Sequence, residues 1–250
     1  MRASLTPRSR AVAGWREWWN TPHRLYVNER HLRVHYARLA DAIIAALPAA
    51  RPLVVLDYGC GQALDAARIA DAAGRLLLYD TAPVVREALA ERHRAAANVA
   101  VLDDAGIAAV AADSVDVVVV SSVIQYMPRA EFTALLGRWW AWLRPGGLLL
   151  LADVIPPEAG MAQDVAALLA VAWRNGFLGA ALAGLASTTF SSYRRLRRDH
   201  GLSVYGEAEI LGLMERAGFA ARRHPANVLS SQARMTVLGT KQAAAGAPGR

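Results

Sequence analysis

The chain has 250 residues, of which 54% are hydrophobic. This length suits one well-buried α/β domain with an elaboration and disfavours two full domains. The formal net charge is +7, yet Lys241 is the only lysine, so the excess reflects an arginine-rich composition and does not by itself indicate nucleic-acid binding. The single cysteine, Cys60, excludes an internal disulfide bond and fits a reducing cytoplasm.

The first fifty residues predict an arm followed by a helical cap. Residues 1–13 carry basic residues without the apolar stretch of a signal peptide, and we expect them to be disordered. Residues 14–50 are predicted to form the cap, with a helix over Asn28–Leu47 that Pro48 ends. This cap precedes the regular part of the pattern.

From residue 51 to residue 155, short apolar segments alternate with helical segments. That order is typical of an α/β fold with a doubly wound, mostly parallel sheet, whose strands are buried on both faces and read as apolar runs. The predicted pieces are Leu53–Leu56, Leu64–Ala73, Leu76–Tyr79, Pro83–Arg94, Val99–Leu102, Val115–Val120, Arg129–Leu143 and Leu148–Ala152.

The alternation stops after the fifth predicted strand. Residues 156–205 contain helical apolar stretches and predict a helical insertion, or lid, over the carboxyl edge of the sheet. Its most apolar part, Val165–Ala186, is interrupted by Arg174 and falls short of a membrane-spanning helix. Residues 206–241 return to the core with one helix and two strands, and the tail 242–250 is expected to be loose.

The most informative segment is the turn after the first strand. Leu56 runs into Asp57-Tyr58-Gly59-Cys60-Gly61, and a helix follows. Glycines let a ligand approach the backbone closely, and the helix N-terminus offers N–H donors at the carboxyl edge of the sheet. The segment therefore predicts a site for a nucleotide-sized cofactor. A dinucleotide-binding domain is the weaker interpretation, because its signature needs Gly or Ala where Leu64 stands.

The segment Val55–Gly61 resembles motif I of the class I S-adenosylmethionine (SAM)-dependent methyltransferases of the small-molecule type, with Ala63 where a third glycine usually stands. Later strand ends, and Arg144-Pro145-Gly146-Gly147 before the fifth strand, agree with that family in order and spacing. The resemblance implies a Rossmann-like sheet closed by an antiparallel hairpin of the last two strands. It also implies an enzyme that converts SAM to S-adenosylhomocysteine (SAH).

The resemblance further assigns residues to the cofactor. Motif I would cradle the methionine part of SAM, and Asp80, about 20 residues after the glycine turn, would accept hydrogen bonds from the ribose hydroxyls. Asp104, with Asp103 as the other choice, would meet the adenine amino group. The residues expected at the cofactor are Asp57, Gly59, Cys60, Gly61, Asp80, Thr81, Asp103, Asp104, Ala105, Ser121 and Gln125.

The sequence gives less information about the acceptor site than about the cofactor site. A general base helps methyl transfer to a hydroxyl or an acidic carbon, and Tyr126, His200 and His35 are the candidates at the reacting centre, with packing as the alternative role for each histidine. The aromatic and aliphatic cap and insertion are expected to hold a small lipophilic acceptor, with O- or C-methylation favoured. The residues expected to line this pocket are Trp19, Tyr26, Trp173, Phe177 and Tyr193.

Other functions stay open at this point. A catalytically inactive subunit that binds SAM or SAH is the alternative, because fold does not establish chemistry. The apolar insertion and its arginine run also suggest peripheral contact of a cytoplasmic protein with an anionic membrane. The simpler interpretation is that the arginines form a solvated basic face. Scattered histidines without cysteine pairs predict no metal site, nucleic acid is a disfavoured partner, and the oligomeric state stays open. The run consists of Arg194, Arg195, Arg197 and Arg198.

Overall fold

The computed structural model describes residues 16, 19–20, 26–49, 52–186 and 202–242. Within these residues, seven strands form one sheet in the order β3-β2-β1-β4-β5-β7-β6. The strands are β1 (Leu53–Tyr58), β2 (Gly74–Tyr79), β3 (Val99–Leu102), β4 (Val115–Ser121), β5 (Leu143–Val154), β6 (Phe219–Arg223) and β7 (Met235–Lys241). Strands β1 to β5 run parallel, and β7 is antiparallel to both of its neighbours.

Helices connect these strands and cover both faces of the sheet. In the described parts of the chain they are α1 (Glu29–Ala46), α2 (Ala66–Ala73), α3 (Pro83–His93), α4 (Asp104–Ala108), α5 (Arg129–Trp142), α6 (Met161–Arg174), α7 (Leu178–Ala186) and α8 (Glu207–Arg216), with a 3₁₀ turn at Ile124–Tyr126. Side chains of α1, α2 and α3 join one hydrophobic core, and those of α5 and α8 join the other. The predicted α/β fold with a doubly wound, mostly parallel sheet is confirmed.

The central strand β1 shows why two cores form. Leu56 packs in the core that contains α5, whereas its neighbour Val55 packs in the core that contains α1 to α3. Both side chains are fully buried, and each contributes about 1.5–3 kcal/mol through removal of apolar surface from water. Parallel pairing of β1 with β2 and β4 brings their carboxyl ends to one edge, where folds of this kind bind ligands.

The closing antiparallel hairpin is also confirmed. Phe219 of β6 pairs with Lys241 of β7, and on the other side of β7 Leu238 lies opposite Leu150 of β5. A Cβ atom at Gly239 would lie 2.5 Å from the Met214 side chain of α8. The glycine therefore lets α8 pack directly on the closing strand.

Helix α1 lies within the predicted cap helix. The Asn28 side chain accepts a hydrogen bond from the backbone N–H of His31 at 2.9 Å and so caps the helix N-terminus. Tyr36 and Ile43 lie on its buried face. The helix thus packs one side against the sheet and faces the carboxyl edge near its N-terminal half.

The predicted helical insertion after the fifth strand begins with α6 and α7. These two helices share a small core of their own, in which Val171, Ala172, Phe177 and Ala181 are buried. The arm at residues 1–13, the arginine run of the insertion and the tail from residue 243 lie outside the described residues. Among the helices that the structure describes, none has the length and apolar character needed to cross a membrane.

Several element boundaries differ from the predicted ones, and two of the differences involve turns. Helix α2 begins at Ala66 rather than Leu64, because the glycine turn extends further and Ala63 still has a positive φ of 39°. Strand β5 begins at Leu143 rather than Leu148, because the predicted Arg-Pro-Gly-Gly turn is absorbed as an irregularity in its pairing with β4. Neither difference moves the carboxyl edge.

Candidate active site

A cavity of about 600 Å³ lies at the carboxyl edge of the sheet. Its walls come from the glycine turn after β1, the ends of β2 and β4, helices α1 and α6, and the connection between β6 and β7. A volume of this size is typical of small-molecule sites. The fold therefore places the cavity where the sequence predicts a cofactor.

The glycine turn forms one wall of this cavity. Gly59 and Gly61 have φ values of 79° and 55°, a region that favours glycine. A Cβ atom at Gly59 would lie 2.5 Å from Val123, and one at Gly61 would lie 2.6 Å from the Tyr36 hydroxyl. The backbone N–H of Gln62 donates to that hydroxyl at 2.7 Å, so α1 is attached directly to the turn. Both glycines are thus required by conformation and by space.

Asp80, directly after β2, closes the turn from the other side. Its Oδ2 accepts a hydrogen bond from the N–H of Gly61 at 3.0 Å, and its Oδ1 accepts one from the N–H of Ala82 at 2.9 Å. Asp80 and its neighbour Thr81 both line the cavity. A carboxylate oxygen has more than one lone pair, so Asp80 can hold the turn and accept from a ligand at the same time.

Asp57, in β1, lines the cavity next to the glycine turn. The side chain is buried, and burial, with a further contribution from the charge of Asp80, raises the pKa of its carboxyl group to about 7. A positive charge on a bound ligand would favour the ionised form of this group. The cofactor end of the cavity is therefore suited to a cation.

Ser121 and Gln125 border the cavity from the end of β4 and the 3₁₀ turn. The Ser121 Oγ and the Gln125 Oε1 are buried, and neither has a hydrogen-bond partner among the described residues. Buried polar atoms are normally hydrogen-bonded. Their position on the cavity indicates that a bound molecule supplies the missing partners.

Aromatic side chains form another part of the cavity wall. The rings of Trp19 and Tyr126 meet edge to face with centroids 5.2 Å apart, and Tyr26 packs against His35 at 5.3 Å. All four line the cavity. Burial lowers the pKa of His35, although the charge of Asp153 partly opposes this, so the imidazole is neutral near pH 7.

Comparison with known proteins decides the family. A family model described as "Methyltransferase domain" matches residues 29–224, which is more than half of the chain. The chain belongs to this methyltransferase family. It is a class I SAM-dependent methyltransferase, as the resemblance of its motifs implies. A search of curated proteins found no match.

Solved structures share the fold of this methyltransferase at low sequence identity. The partner of the Haloferax volcanii Trm112 methyltransferase activator, seen in their complex, is 15% identical with a TM-score of 0.59, covering 97% of this chain and 100% of that one. Magnesium protoporphyrin IX methyltransferase from Synechocystis PCC 6803, solved with bound SAM, is 16% identical with a TM-score of 0.55 and the same coverage. An O-methyltransferase family protein from Burkholderia thailandensis is 15% identical with a TM-score of 0.56, covering 95% of this chain and 61% of that one.

The residues of the methyltransferase cavity fit SAM. The backbone of Gly59 and Gly61 lines the cavity in a turn that has no space for a Cβ atom, and the carboxylates of Asp57 and Asp80 suit a cationic ligand with ribose hydroxyls. The unpaired Ser121 Oγ and Gln125 Oε1 add polar atoms. Most predicted cofactor residues line one continuous space: Asp57, Gly59, Cys60, Gly61, Asp80, Thr81, Ser121 and Gln125.

The predicted adenine residues lie elsewhere. Asp103 caps α4 by accepting from the N–H of Gly106 at 2.7 Å, and Asp104 accepts from the Tyr79 hydroxyl at 2.9 Å and from Arg86. The Asp104 side chain is 72% exposed. Together with Ala105, these aspartates are not among the residues that line the cavity, so their contact with adenine stays a prediction.

Two predicted acceptor residues are also away from the cavity. Trp173 is 74% exposed, because α6 turns Asp164, Leu168 and Val171 toward the cavity and Trp173 to another side. Phe177 is buried between α6 and α7, where its ring stacks on His31 at 5.4 Å. The structure does bring Trp19, Tyr26, His35 and Tyr126 together at the cavity.

The predicted residues His200 and Tyr193 lie outside the described residues. Metal binding can be considered only for the rest of the chain, where no group of three or more His, Cys, Asp or Glu side chains could hold a metal ion.

The sequence analysis missed a polar group on the acceptor side. Asp153 near the end of β5, Asp164 of α6 and Arg234 before β7 all line the cavity, and Arg234 forms an ion pair with each of the two aspartates. Asp153 could have been predicted as a site residue, because it follows an apolar strand segment as Asp80 follows β2. No sequence pattern indicates Asp164 and Arg234, since they are 70 residues apart and only the folded chain makes them neighbours.

Proposed function

We propose that this methyltransferase transfers a methyl group to a small, lipophilic acceptor, with oxygen or carbon as the favoured acceptor atom. The observation that carries the proposal is the continuity of the cavity, which runs from the glycine turn to an aromatic and aliphatic wall. That wall suits an apolar, planar or chain-like molecule better than a strongly polar one. Its members include Trp19, Tyr26, Tyr36, Tyr126, Leu168, Val171 and Leu229.

SAM would supply a methyl group on a positively charged sulfur, together with a good leaving group. The residues of the chain then have to position the reactants and exclude water. Asp57 and the glycine turn would hold the cationic methionine part, and Asp80 with Thr81 would hold the ribose. Ser121 and Gln125 would satisfy their unpaired atoms on the cofactor, and Asp103, Asp104 and Ala105 remain the proposed adenine contacts. The proposal includes no metal ion.

His35 is the proposed general base within the described residues. Its lowered pKa keeps the imidazole unprotonated near pH 7, so it can accept a proton from a hydroxyl or an acidic carbon. Tyr126 lies beside the unpaired Gln125 and is the proposed contact with the reacting group. A role for His200 or Tyr193 stays a prediction.

The cofactor part is tested by calorimetric titration with SAM and SAH. Asp80→Ala should weaken binding at least about tenfold, because a charge-assisted hydrogen bond to ribose is worth about 1.5–3 kcal/mol. Asp71→Ala, which removes an exposed carboxylate of α2, is the matched control and should bind normally. Equal affinities for the Asp80 variant and the natural protein would show that Asp80 does not hold the cofactor.

The acceptor part is tested by transfer of a labelled methyl group from SAM. We expect turnover with a lipophilic class such as quinones, isoprenoids, polyketides or fatty acyl compounds. Turnover confined to polar metabolites would contradict the proposed acceptor class. SAH binding without turnover of any class would favour the binding-only alternative.

Peripheral contact with an anionic membrane is a further part of the proposal. It is supported by exposed Trp173 and Leu182 on α6 and α7, and by the arginine run that follows them in the sequence. Flotation with phosphatidylglycerol vesicles should carry the protein, and Trp173→Ser should reduce the bound fraction. Phosphatidylcholine vesicles are the control, and equal flotation with both lipids would oppose the electrostatic part of the proposal.

A further inference from the structure

Arg234 joins two separate walls of the cavity. Its Nε and Nη2 donate to the two carboxylate oxygens of Asp164 on α6, at 3.2 and 3.0 Å. Its Nη1 donates to Oδ2 of Asp153 in β5. The three side chains are largely buried, with 12%, 19% and 8% exposure for Arg234, Asp164 and Asp153. A planar guanidinium can hold two carboxylates in fixed directions, which a lysine ammonium does not do.

The contact continues from Asp153 into the loop after β4. The Ser122 hydroxyl donates to Oδ2 of Asp153 at 2.7 Å, and the Ser122 N–H donates to the Ala152 carbonyl at 3.1 Å. Ser122 and Asp153 both have positive φ values, 56° and 66°, which non-glycine residues rarely adopt. Strained residues that contact each other beside a cavity indicate that the surrounding structure holds them there.

The same loop carries the polar atoms that face the cofactor. Ser122 lies between Ser121, whose Oγ is unpaired within the described residues, and Val123, whose side chain fills the space above Gly59. An uninterrupted series of polar contacts therefore leads from α6 through Arg234 and Asp153 to the cofactor loop. Residues at both ends of the series line the cavity.

We propose that Arg234 is a positioning residue, which fixes α6 as a wall of the acceptor pocket and couples the position of that helix to occupancy of the cofactor end. The inference rests on the proposed function, because it makes α6 responsive to the cofactor. When a ligand satisfies Ser121 and Gln125, the loop after β4 is held, Asp153 is held by Ser122, and Arg234 holds Asp164. The acceptor wall is then held more firmly when the cofactor is bound.

Amide hydrogen exchange of α6 with and without SAH tests the coupling. In the natural protein SAH should slow exchange in the peptide covering 161–174. In Asp164→Asn, SAH should still bind by calorimetry, but its effect on α6 should disappear and α6 should exchange about tenfold faster in the presence of SAH. Arg234→Lys, which keeps the charge but loses the two-way fork, should show the same loss in smaller degree.

Arg223→Gln is the matched control, because it removes an ion pair with Glu207 that is about half exposed and because neither of these residues lines the cavity. Its α6 should respond to SAH as in the natural protein. A helix that only lost stability would exchange faster with and without SAH alike and keep the difference, which would overturn the coupling. The absence of any SAH effect on α6 in the natural protein would overturn it as well. Failure of SAH to bind at all would instead contradict the proposed function.

Discussion

Asp57 and Asp80 place two carboxylates at the cofactor end of one cavity, and their environments differ. Asp80 has two backbone N–H donors, which favour its charge. Asp57 is buried beside it, and burial raises its pKa to about 7. At the residue scale, the site therefore holds one carboxylate with two backbone donors and one buried carboxylate whose charge depends on what is bound.

The raised pKa of Asp57 gives a stability prediction with a definite sign. Because the folded pKa lies above the ordinary value of 3.8, protonated Asp57 favours folding, and this contribution is lost as the pH rises through about 7. Thermal unfolding of the free protein and of Asp57→Asn across this range should show the variant gaining stability relative to the natural protein as the pH rises. If the stability difference between the variant and the natural protein stays constant with pH, the raised pKa of Asp57 is contradicted.

The same residue predicts the pH dependence of SAM binding. A cationic ligand favours ionised Asp57, so SAM affinity should increase as the pH rises through about 7. Calorimetry at several pH values measures this directly, and Asp57→Asn should flatten the profile. SAH lacks the sulfonium charge and should show a weaker dependence, which serves as the internal control.

At the scale of elements, the glycine turn is shaped by what packs over it. Val123 comes from the loop after β4 and Tyr36 comes from α1, and both occupy space that side chains at Gly59 and Gly61 would need. The turn is therefore fixed by two other elements, and changes in either of them reach the cofactor end.

Gly59→Ala should disrupt this turn. The new Cβ atom would meet Val123 at 2.5 Å, and a left-handed φ of 79° costs a non-glycine residue about 1–2 kcal/mol. We expect lower stability in denaturant unfolding and loss of SAH binding in calorimetry.

Gly137→Ala is the matched control, because Gly137 lies inside α5 and a Cβ atom there has no contact within 4 Å. That variant should be neutral or more stable by up to about 1 kcal/mol, with normal SAH binding. Normal SAH binding by Gly59→Ala would show that the turn does not cradle the cofactor.

For the molecule as a whole, the two ends of the parallel strands have different roles. The carboxyl edge carries the cavity, whereas Asp116, near the start of β4, links strands at the other edge. Its Oδ2 accepts from the N–H of Val54 at 2.7 Å, and Arg144 Nη1 donates to the same carboxylate at 2.6 Å. Asp116 thus connects β1, β4 and β5 and does not line the cavity.

Asp116→Ala should destabilise the protein by about 1–3 kcal/mol, because it leaves a part-buried N–H without its partner. SAH affinity should stay the same at temperatures where the variant is folded. Denaturant unfolding and calorimetry measure the two effects separately. Weakened SAH binding in a fully folded Asp116→Ala protein would contradict the separation of the two edges.

The α/β sheet, its closing hairpin and the residues that line the cavity at the glycine turn could be predicted from the sequence alone. These follow from local patterns: apolar runs buried on two faces, glycines in the turn after the first strand, and acids near the carboxyl ends of strands, as at Asp57 and Asp80. The rest of the cavity wall depends on how the helices pack, which local patterns do not specify. Trp173 and Phe177 have the right residue types, but helix packing turns one to the surface and buries the other away from the cavity. Arg234 and Asp164 meet only through long-range packing, which no short segment of the sequence encodes.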